Sequence, residues 1–189
     1  MISALRASLP VLLPTDTVYG LAARADEPAG AEVVYRLKGR EARQPTALLA
    51  ASPADLLAWV PELPESALAR LLPGPYTLVL PNPARRFPWL CGDTPEAIGV
   101  RVPNLPPGAR AAVGAVGAVL ATSANEPGGP NPAALDEVPA RIRAGCGAEL
   151  DAGRLPGTAS TVLDLTGDEP RVLREGAVPA AEALARLRP

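Results

Sequence analysis

Polar and cationic side chains that could bind an anionic ligand follow the short apolar segments of this sequence. These clusters are Thr15 to Tyr19, Lys38 with Arg40, Arg101, Ser123 with Asn125, Ser160 with Thr161, and Arg174. Because ligands of open α/β sheets bind in crevices at strand ends, we expect the clusters to meet at one site. Taken singly, each has a simpler explanation as a turn, a cap or a surface ion pair, so only the set indicates binding.

The cations of this set suit a triphosphate or a carboxylate. They are Lys38, Arg40, Arg101 and Arg174. Charge-assisted hydrogen bonds to such groups contribute about 1.5–3 kcal/mol each. The common nucleotide-binding motifs are absent, because no Gly-x-x-x-x-Gly-Lys-Ser/Thr or complete Gly-x-Gly-x-x-Gly occurs. Any ATP site in this chain must therefore be unconventional.

The composition excludes several kinds of chemistry. With no histidine, the chain cannot carry out Ser-His-Asp or Cys-His catalysis or bind a metal through imidazole. Cys91 and Cys146 form no Cys-x-x-Cys unit, which favours free thiols over a zinc site or a disulfide. The net charge of −2 argues against non-specific nucleic-acid binding, although a local basic cleft stays compatible with it.

The elements that must position these residues are short strands and helices. The 189 residues suit a single domain, 1–189, and without a long apolar run we expect a cytoplasmic protein with no membrane partner. Strands are predicted at 9–14, 46–51, 76–80, 97–102, 116–122, 160–165 and 170–173. Helices are predicted at 29–37, 53–59, 64–72, 107–113, 134–144 and 179–187, and loops at 15–20 and 126–132. Without strict βαβ regularity, this order predicts an α/β or α+β fold around one mixed sheet.

Seven sequence blocks resemble the YrdC-like threonylcarbamoyl-adenylate synthase family, in its order and at similar spacing. They are PTDTVYGL (14–21), KGR (38–40), PGPYTLVL (73–80), GVRVPN (99–104), ATSAN (121–125), STVLDL (160–165) and VLREG (172–176). Together they span about residues 10–178, nearly the whole chain. The resemblance implies an α/β fold with a twisted, mixed parallel and antiparallel open sheet, flanked by helices around a concave cavity.

The resemblance also implies an activity. Proteins of this family combine L-threonine, bicarbonate and ATP into threonylcarbamoyl-AMP and release pyrophosphate, with Mg²⁺ expected beside the phosphates. Proteins of a threonylcarbamoyl-transfer complex then carry the group to an adenosine of tRNA, which this chain would contact indirectly or weakly. Such a reaction needs positioning and charge neutralisation rather than a histidine base or a protein nucleophile, which agrees with the composition.

Roles for individual residues follow from the matched blocks. By resemblance, the threonine site comprises Thr15, Thr17, Tyr19, Arg101 and Ser160. The ATP site comprises Lys38, Arg40, Gln44, Ser123, Asn125 and Arg174. Of these, the K-x-R and S-x-N tetrad of Lys38, Arg40, Ser123 and Asn125 is expected to be catalytic. The sequence departs from the family at Gln44-Pro45-Thr46, where Asn-Pro-Leu is common.

Two other functions remain open at this point. An RNA-binding module would need a basic cleft, which the net charge of −2 does not favour. A paralogue acting on another carboxylate or carbamoyl substrate would keep the tetrad, because the tetrad does not select the acyl group. Binding measured across a salt series tests the first, and a panel of amino acids tests the second.

Arg40→Ala is expected to abolish adduct formation while leaving the thermal midpoint nearly unchanged. The reason is that the guanidinium would neutralise phosphate charge, whereas a surface arginine contributes little to folding. Chromatography of the AMP adduct together with thermal denaturation checks this. A large loss of stability would instead assign Arg40 a structural role.

Overall fold

Short runs of Val, Leu and Ala form the strands of one sheet. The computed structural model describes residues 1–39 and 44–188. Within them the strands are β1 (Val11–Pro14), β2 (Tyr19–Arg24), β3 (Ala47–Ala50), β4 (Tyr76–Pro81), β5 (Ala97–Arg101), β6 (Ala118–Ser123), β7 (Ala148–Glu149), β8 (Thr161–Asp164) and β9 (Arg171–Arg174). The helices are α1 (Ile2–Arg6), α2 (Pro28–Lys38), α3 (Pro53–Trp59), α4 (Glu65–Leu71), α5 (Pro107–Gly114), α6 (Ala140–Ala144) and α7 (Ala180–Ala185). Two 3-10 turns cover Pro88–Leu90 and Leu135–Glu137.

The sheet is mixed, as the sequence predicts. Its strand order is β7–β1–β2–β6–β3–β5–β4–β8–β9. The pairs β1–β7, β3–β5 and β4–β8 are parallel, and the other neighbouring pairs are antiparallel. The predicted class, an α/β fold with a mixed open sheet flanked by helices, is therefore confirmed.

One face of the sheet carries the main hydrophobic core. Leu48, Leu78, Val100 and Leu120 are fully buried on this face. Full burial of such a side chain contributes about 1.5–3 kcal/mol. Side chains of α2, α3, α4, α6 and α7 belong to the same core, so the helices are held to this side.

The opposite face carries small residues in its central strands. Gly20, Ala47, Gly99 and Ala121 lie on this face, in neighbouring strands. A second, smaller core that includes residues of α1 and α5 covers only part of it. Since side chains alternate between the two faces of a strand, the same strands can build a dense core on one side and an open hollow on the other.

Most of the predicted elements are found, with four differences, one of which is that the short helix α1 was not predicted. The predicted loop at 15–20 is wrong beyond Val18, because Tyr19 and Gly20 begin β2. The predicted helix at 134–144 is also wrong. It is a 3-10 turn followed by α6, because Pro139 lacks an N–H and holds Val138 in an extended conformation. The two-residue strand β7 was not predicted.

None of the helices in the described residues is long and apolar enough to cross a membrane.

Gly30→Ala is expected to destabilise the fold by about 1–3 kcal/mol, the usual cost of overpacking. A Cβ at Gly30 would overlap the carbonyl oxygen of Arg24, so α2 would have to move away from β2. Gly114→Ala is the matched control, because its Cβ would lie 3.8 Å from Ala51 Cβ, an ordinary contact. Urea denaturation of both variants checks this, and equal stabilities would contradict the tight α2–β2 packing.

Candidate ligand-binding site

The hollow on the small-residue face is a cavity of about 550 Å³. This volume is typical of small-molecule sites. Its polar lining residues lie in, or close beside, seven of the nine strands described above. These residues are Thr15, Thr46, Thr77, Thr94, Arg101, Thr122, Ser123, Ser160, Asp164, Thr166, Arg171 and Arg174. The expected convergence of polar clusters at one site is thus found for Thr15, Arg101, Ser123, Ser160 and Arg174.

The loop after β1 is held by a chain of hydroxyl hydrogen bonds. Thr15 Oγ1 donates to Val18 O at 2.8 Å and accepts from the backbone N–H groups of Thr17 and Val18 at 3.2 Å. Thr17 Oγ1 lies 2.9 Å from Thr15 Oγ1. Both side chains are buried, and only Thr15 lines the cavity. Thr17 therefore reaches the site through its neighbours rather than by direct exposure.

Arg101 joins this loop to the end of β5. Its Nη2 donates to Asp16 Oδ1 and to Thr17 Oγ1, both at 2.6 Å. Asp16 Oδ2 accepts from Asn104 N at 2.9 Å, so both carboxylate oxygens are used. Burial lowers the pKa of Arg101, while the Asp16 carboxylate opposes that effect. The guanidinium stays charged, and its buried Nε has no hydrogen-bond partner among the described residues.

Ser160 and Arg174 form a second polar cluster on β8 and β9. Arg174 donates to Ser160 O from Nε at 3.1 Å and from Nη2 at 2.9 Å, and Nη2 also donates to Ser160 Oγ at 3.2 Å. Ser160 Oγ also lies 2.8 Å from Thr77 Oγ1. Burial lowers the pKa of Arg174, which forms no ion pair within residues 1–39 and 44–188. Its charge is thus not neutralised by a carboxylate there.

Lys38, Ser123 and Asn125 meet at the end of β6. Lys38 Nζ donates to Ser123 O at 2.6 Å and to Asn125 Oδ1 at 3.1 Å. Ser123 Oγ donates to Asn125 Oδ1 at 2.5 Å, and Asn125 Nδ2 donates to Gly129 O at 2.7 Å. Lys38 is only 4% exposed and is not among the lining residues, whereas Ser123 is. Three members of the tetrad are therefore together, with the lysine beneath the surface. The fourth, Arg40, lies outside the described residues.

Five of the predicted site residues that the structure describes do not line the cavity: Thr17, Lys38 and Asn125 lie behind it, and Tyr19 and Gln44 lie away from it. Tyr19 alternates with the lining residue Gly20, so its ring lies on the other face, in the main core. Its hydroxyl contacts Asp151 Oδ1 at 2.9 Å and Gly153 O at 2.8 Å, and burial raises the pKa of Tyr19. Gln44 is exposed and is not among the lining residues, although its neighbours Pro45 and Thr46 are.

Sequence reasoning did not assign several lining residues. They include Thr46, Thr94, Asp164, Thr166, Arg171 and Leu173. Thr46 Oγ1 is buried without a hydrogen-bond partner among the described residues, and it stands where the sequence departs from its family. Asp164 lies inside the STVLDL block, but a carboxylate at a strand end carries no specific signal in a sequence.

The described residues contain no cluster of three or more side chains that could hold a metal ion by themselves. Asp164 is the single carboxylate among the lining residues of the described chain. Cys91 and Cys146 are free thiols, and burial raises the pKa of Cys146 to about 11. Metal binding at this cavity would thus depend on oxygens that a ligand brings.

The sequence of this chain is similar to those of known proteins. A protein-family profile, Sua5_yciO_yrdC, described as telomere recombination, matches residues 3–176. A Mycobacterium tuberculosis protein provisionally named threonylcarbamoyl-AMP synthase is 33% identical over 181 residues, covering 94% of this chain and 82% of that protein.

Solved structures share the fold. Sua5 of Pyrococcus abyssi, crystallised with L-threonine, is 30% identical with a TM-score of 0.86. The match covers 98% of this chain and 56% of that one, so the present chain spans little more than half of it. Escherichia coli YciO is 26% identical with a TM-score of 0.81, covering 97% of this chain and 90% of that one.

Asp16→Ala is expected to destabilise the protein by about 3–5 kcal/mol, because it leaves the buried Arg101 guanidinium without a counter-charge. In Asp16→Ala/Arg101→Met, the unpaired charge is gone, so the double variant should recover part of that loss. Urea denaturation of Asp16→Ala, Arg101→Met and the double variant measures the coupling between the two residues. Additive losses would contradict a coupled buried pair.

Proposed function

Because the chain belongs to the Sua5/YciO/YrdC family, we propose that it is a threonylcarbamoyl-AMP synthase, a nucleotidyltransferase that acts on L-threonine, bicarbonate and ATP. Its products would be threonylcarbamoyl-AMP and pyrophosphate. Proteins of a transfer complex would then pass the threonylcarbamoyl group to tRNA.

The Arg101 cluster is the observation that carries this proposal. A buried, unpartnered guanidinium N–H beside a cavity is a donor that needs an acceptor. The carboxylate of an amino acid is such an acceptor, and it binds arginine with charge-assisted hydrogen bonds. The hydroxyls of Thr15 and Ser160, which line the cavity, complete the group of donors and acceptors around an amino acid, and Thr17 holds Arg101 from beneath. The likeness to the Pyrococcus abyssi structure with L-threonine supports threonine as that amino acid.

The end of β6 is suited to phosphates. Lys38 holds Ser123 and Asn125 in place by two hydrogen bonds, so the Ser123 hydroxyl is fixed at the cavity surface. Arg174, on β9 at the other end of the strand order, is a second cation of the cavity, and no carboxylate neutralises it in the described part of the chain. Such fixed donors stabilise charge that develops in the transition state without reorganising.

The proposed step transfers an adenylyl group. Bicarbonate takes up a proton and loses water to give carbon dioxide, to which the neutral threonine amine adds, its displaced proton passing to solvent. One oxygen of the resulting carbamate attacks the α-phosphorus of ATP. A new O–P bond forms as the bond to the β-phosphate oxygen breaks, and pyrophosphate leaves with that electron pair. Arg101 and Ser160 would fix the amino acid, while the Ser123 region would hold the departing phosphates. Catalysis then rests on positioning and charge neutralisation.

Magnesium fits this site only as a companion of the nucleotide. One carboxylate lines the described cavity, which agrees with the preference of Mg²⁺ for substrate phosphates and water over a protein cage. When bound, Mg²⁺ would neutralise part of the triphosphate charge, and the Ser123 hydroxyl at the phosphate end of the cavity is the side-chain oxygen that could join water in holding it.

The arginine pairing argues against RNA binding as the main function. Arg85, which is exposed, and Arg86 and Arg143, which are half-buried, lie within 3 Å of a carboxylate oxygen. Each pair is close to electrically neutral, so these residues form no basic surface for a phosphate backbone. This agrees with contact to tRNA that is indirect or weak.

We expect the purified protein, supplied with Mg²⁺, bicarbonate and ATP, to release pyrophosphate when threonine is added. The other amino acids of a panel, each added in turn, should give no release. Asp16→Asn/Arg101→Gln, which leaves neither charge of the buried pair unpaired, should raise the KM for threonine by about 10–100-fold, since it removes charge-assisted hydrogen bonds. Coupled pyrophosphate detection and mass spectrometry of the adduct measure both effects.

Arg110→Gln is the matched control, because Arg110, on α5, donates to Ala51 O and does not line the cavity. The KM of Arg110→Gln for threonine should match that of the unaltered protein. A different preferred amino acid would sink the threonine assignment, and pyrophosphate release without any amino acid would sink the reaction itself.

A further inference from the structure

The chain between β7 and β8 has no helix or strand of its own. This segment, residues 151–159, leads from β7, at one edge of the sheet, to β8, next to the opposite edge, and is called the strap here. Most of its residues are exposed, and Leu155 is its one large apolar side chain, so burial does little to hold it. The path of the strap must therefore depend on hydrogen bonds.

The start of the strap is bonded to the hydroxyl of Tyr19, at the beginning of β2. This oxygen lies 2.9 Å from Asp151 Oδ1 and 2.8 Å from Gly153 O, either of which can accept its proton, and it accepts from Ala152 N at 3.0 Å. Burial raises the pKa of Tyr19, so the hydroxyl stays protonated and can donate and accept together. Three successive strap residues therefore bend around one oxygen, whose ring is fixed in the main core.

The middle of the strap is bonded to the turn between β1 and β2. Gly157 N donates to Thr17 O at 2.9 Å, and Leu155 N donates to Ala133 O at 2.7 Å. Thr17 is fully buried although it lies in a turn, and its hydroxyl accepts from Arg101 Nη2 at 2.6 Å. The strap thus holds the backbone of the residue whose side chain holds Arg101.

The far end of the strap is fixed without any help from Tyr19. Ser160, which directly follows the strap, contacts Thr77 on β4 at 2.8 Å and Arg174 on β9 at 3.2 Å through its hydroxyl. Neither contact involves the first half of the strap. Loss of the Tyr19 hydrogen bonds would therefore free the start and the middle of the strap while Ser160 and Arg174 stay in place.

We propose that Tyr19 is a positioning residue for the amino acid, which acts through the strap and Thr17 on Arg101 and does not touch the ligand. This rests on the proposed function, in which Arg101 binds the threonine carboxylate. A strap held at both ends keeps Gly157 bonded to Thr17, so the hydrogen bond from Arg101 to Thr17 stays away from water. A guanidinium that is shielded from water attracts a carboxylate more strongly.

Tyr19→Phe removes the hydroxyl but keeps the ring in the main core and the backbone in β2, so the variant should fold. Its Kd for L-threonine, measured by calorimetric titration, should rise about 2–10-fold, the range that the loss of one hydrogen bond gives. Its Kd for ATP and its kcat with saturating threonine should stay unchanged, because Ser123 and Arg174 do not depend on the strap. A general disturbance of the fold would instead weaken both ligands.

Tyr35→Phe is the matched control. Tyr35 is also buried in the main core, its hydroxyl donates to Trp89 O at 3.1 Å, and neither residue lines the cavity. Each variant loses the hydrogen bonding of one tyrosine hydroxyl, so urea denaturation should show similar losses of stability. Only Tyr19→Phe should bind threonine more weakly than the unaltered protein.

Limited cleavage by trypsin reports on the strap without any measurement of activity. The strap contains one basic residue, Arg154, whose side chain is 72% exposed and is paired with Glu137. Cleavage after Arg154 should be about 2–10-fold faster in Tyr19→Phe than in the unaltered protein or in Tyr35→Phe, because cleavage follows the population of the opened strap. Saturating L-threonine should slow this cleavage, since coupling between two binding events is reciprocal. Mass spectrometry of the fragments identifies the cut.

Gly153→Ala tests the same contact from the side of the strap. Gly153 has a φ of 73°, a left-handed conformation that disfavours a Cβ, and an added Cβ would meet no atom within 4 Å. The change therefore strains only the bend that brings Gly153 O to Tyr19. Gly153→Ala should weaken threonine binding, and Tyr19→Phe/Gly153→Ala should weaken it by less than the product of the two single effects. A full product would contradict a shared contact.

The outcomes separate this role from the reaction as a whole. If Tyr19→Phe binds threonine normally, binds threonine and ATP equally more weakly, or shows unchanged cleavage of the strap, the positioning role is overturned and the synthase stands. If the unaltered protein binds threonine but forms no adduct, the proposed reaction is overturned, and the threonine affinities still decide the role of Tyr19. If it binds no threonine, both are overturned.

Discussion

The buried ion pair between Arg101 and Asp16 is the constraint on which the site depends. A guanidinium taken out of water must be paired, or the fold loses several kcal/mol. Asp16 meets this need from the loop after β1 and also accepts from Asn104 N. The loop is therefore fixed against the end of β5 before any ligand arrives, and Thr15 and Thr17 are fixed with it. Preorganisation of this kind reduces the entropy that binding must lose.

The cavity itself is a product of side-chain size rather than of strand path. The central strands bury large aliphatic residues on the helical face and place Gly20, Ala47, Gly99 and Ala121 on the other. A Cβ at Gly99 would meet nothing closer than 3.8 Å, so a larger residue there would fit the sheet but fill the hollow. The sequence of these strands thus satisfies two demands, a core that holds the sheet together and a space that admits a ligand.

Much of this could be predicted from residue types and their order. Strands with strong β-branched or aliphatic patterns were found, and the polar residues after them do meet at the cavity. The prediction failed where tertiary contacts outweigh local preference. Gly20 and Ala22 favour a strand weakly, yet β2 pairs on both sides in the sheet interior. Strand register then decides that Tyr19 lies in the core, and no sequence pattern shows that Asp164 and Leu173 share a wall.

The placement of Lys38 limits acylation of the protein by its own product. It is the only lysine in the chain, it is 4% exposed, and its ammonium donates to Ser123 O and Asn125 Oδ1. An amine that is buried and held by two hydrogen bonds is hard for an electrophile to reach. An acyl-adenylate is a mixed anhydride that acylates free amines. An enzyme that makes one, and whose single lysine is held in this way, exposes no lysine side chain for its own product to modify.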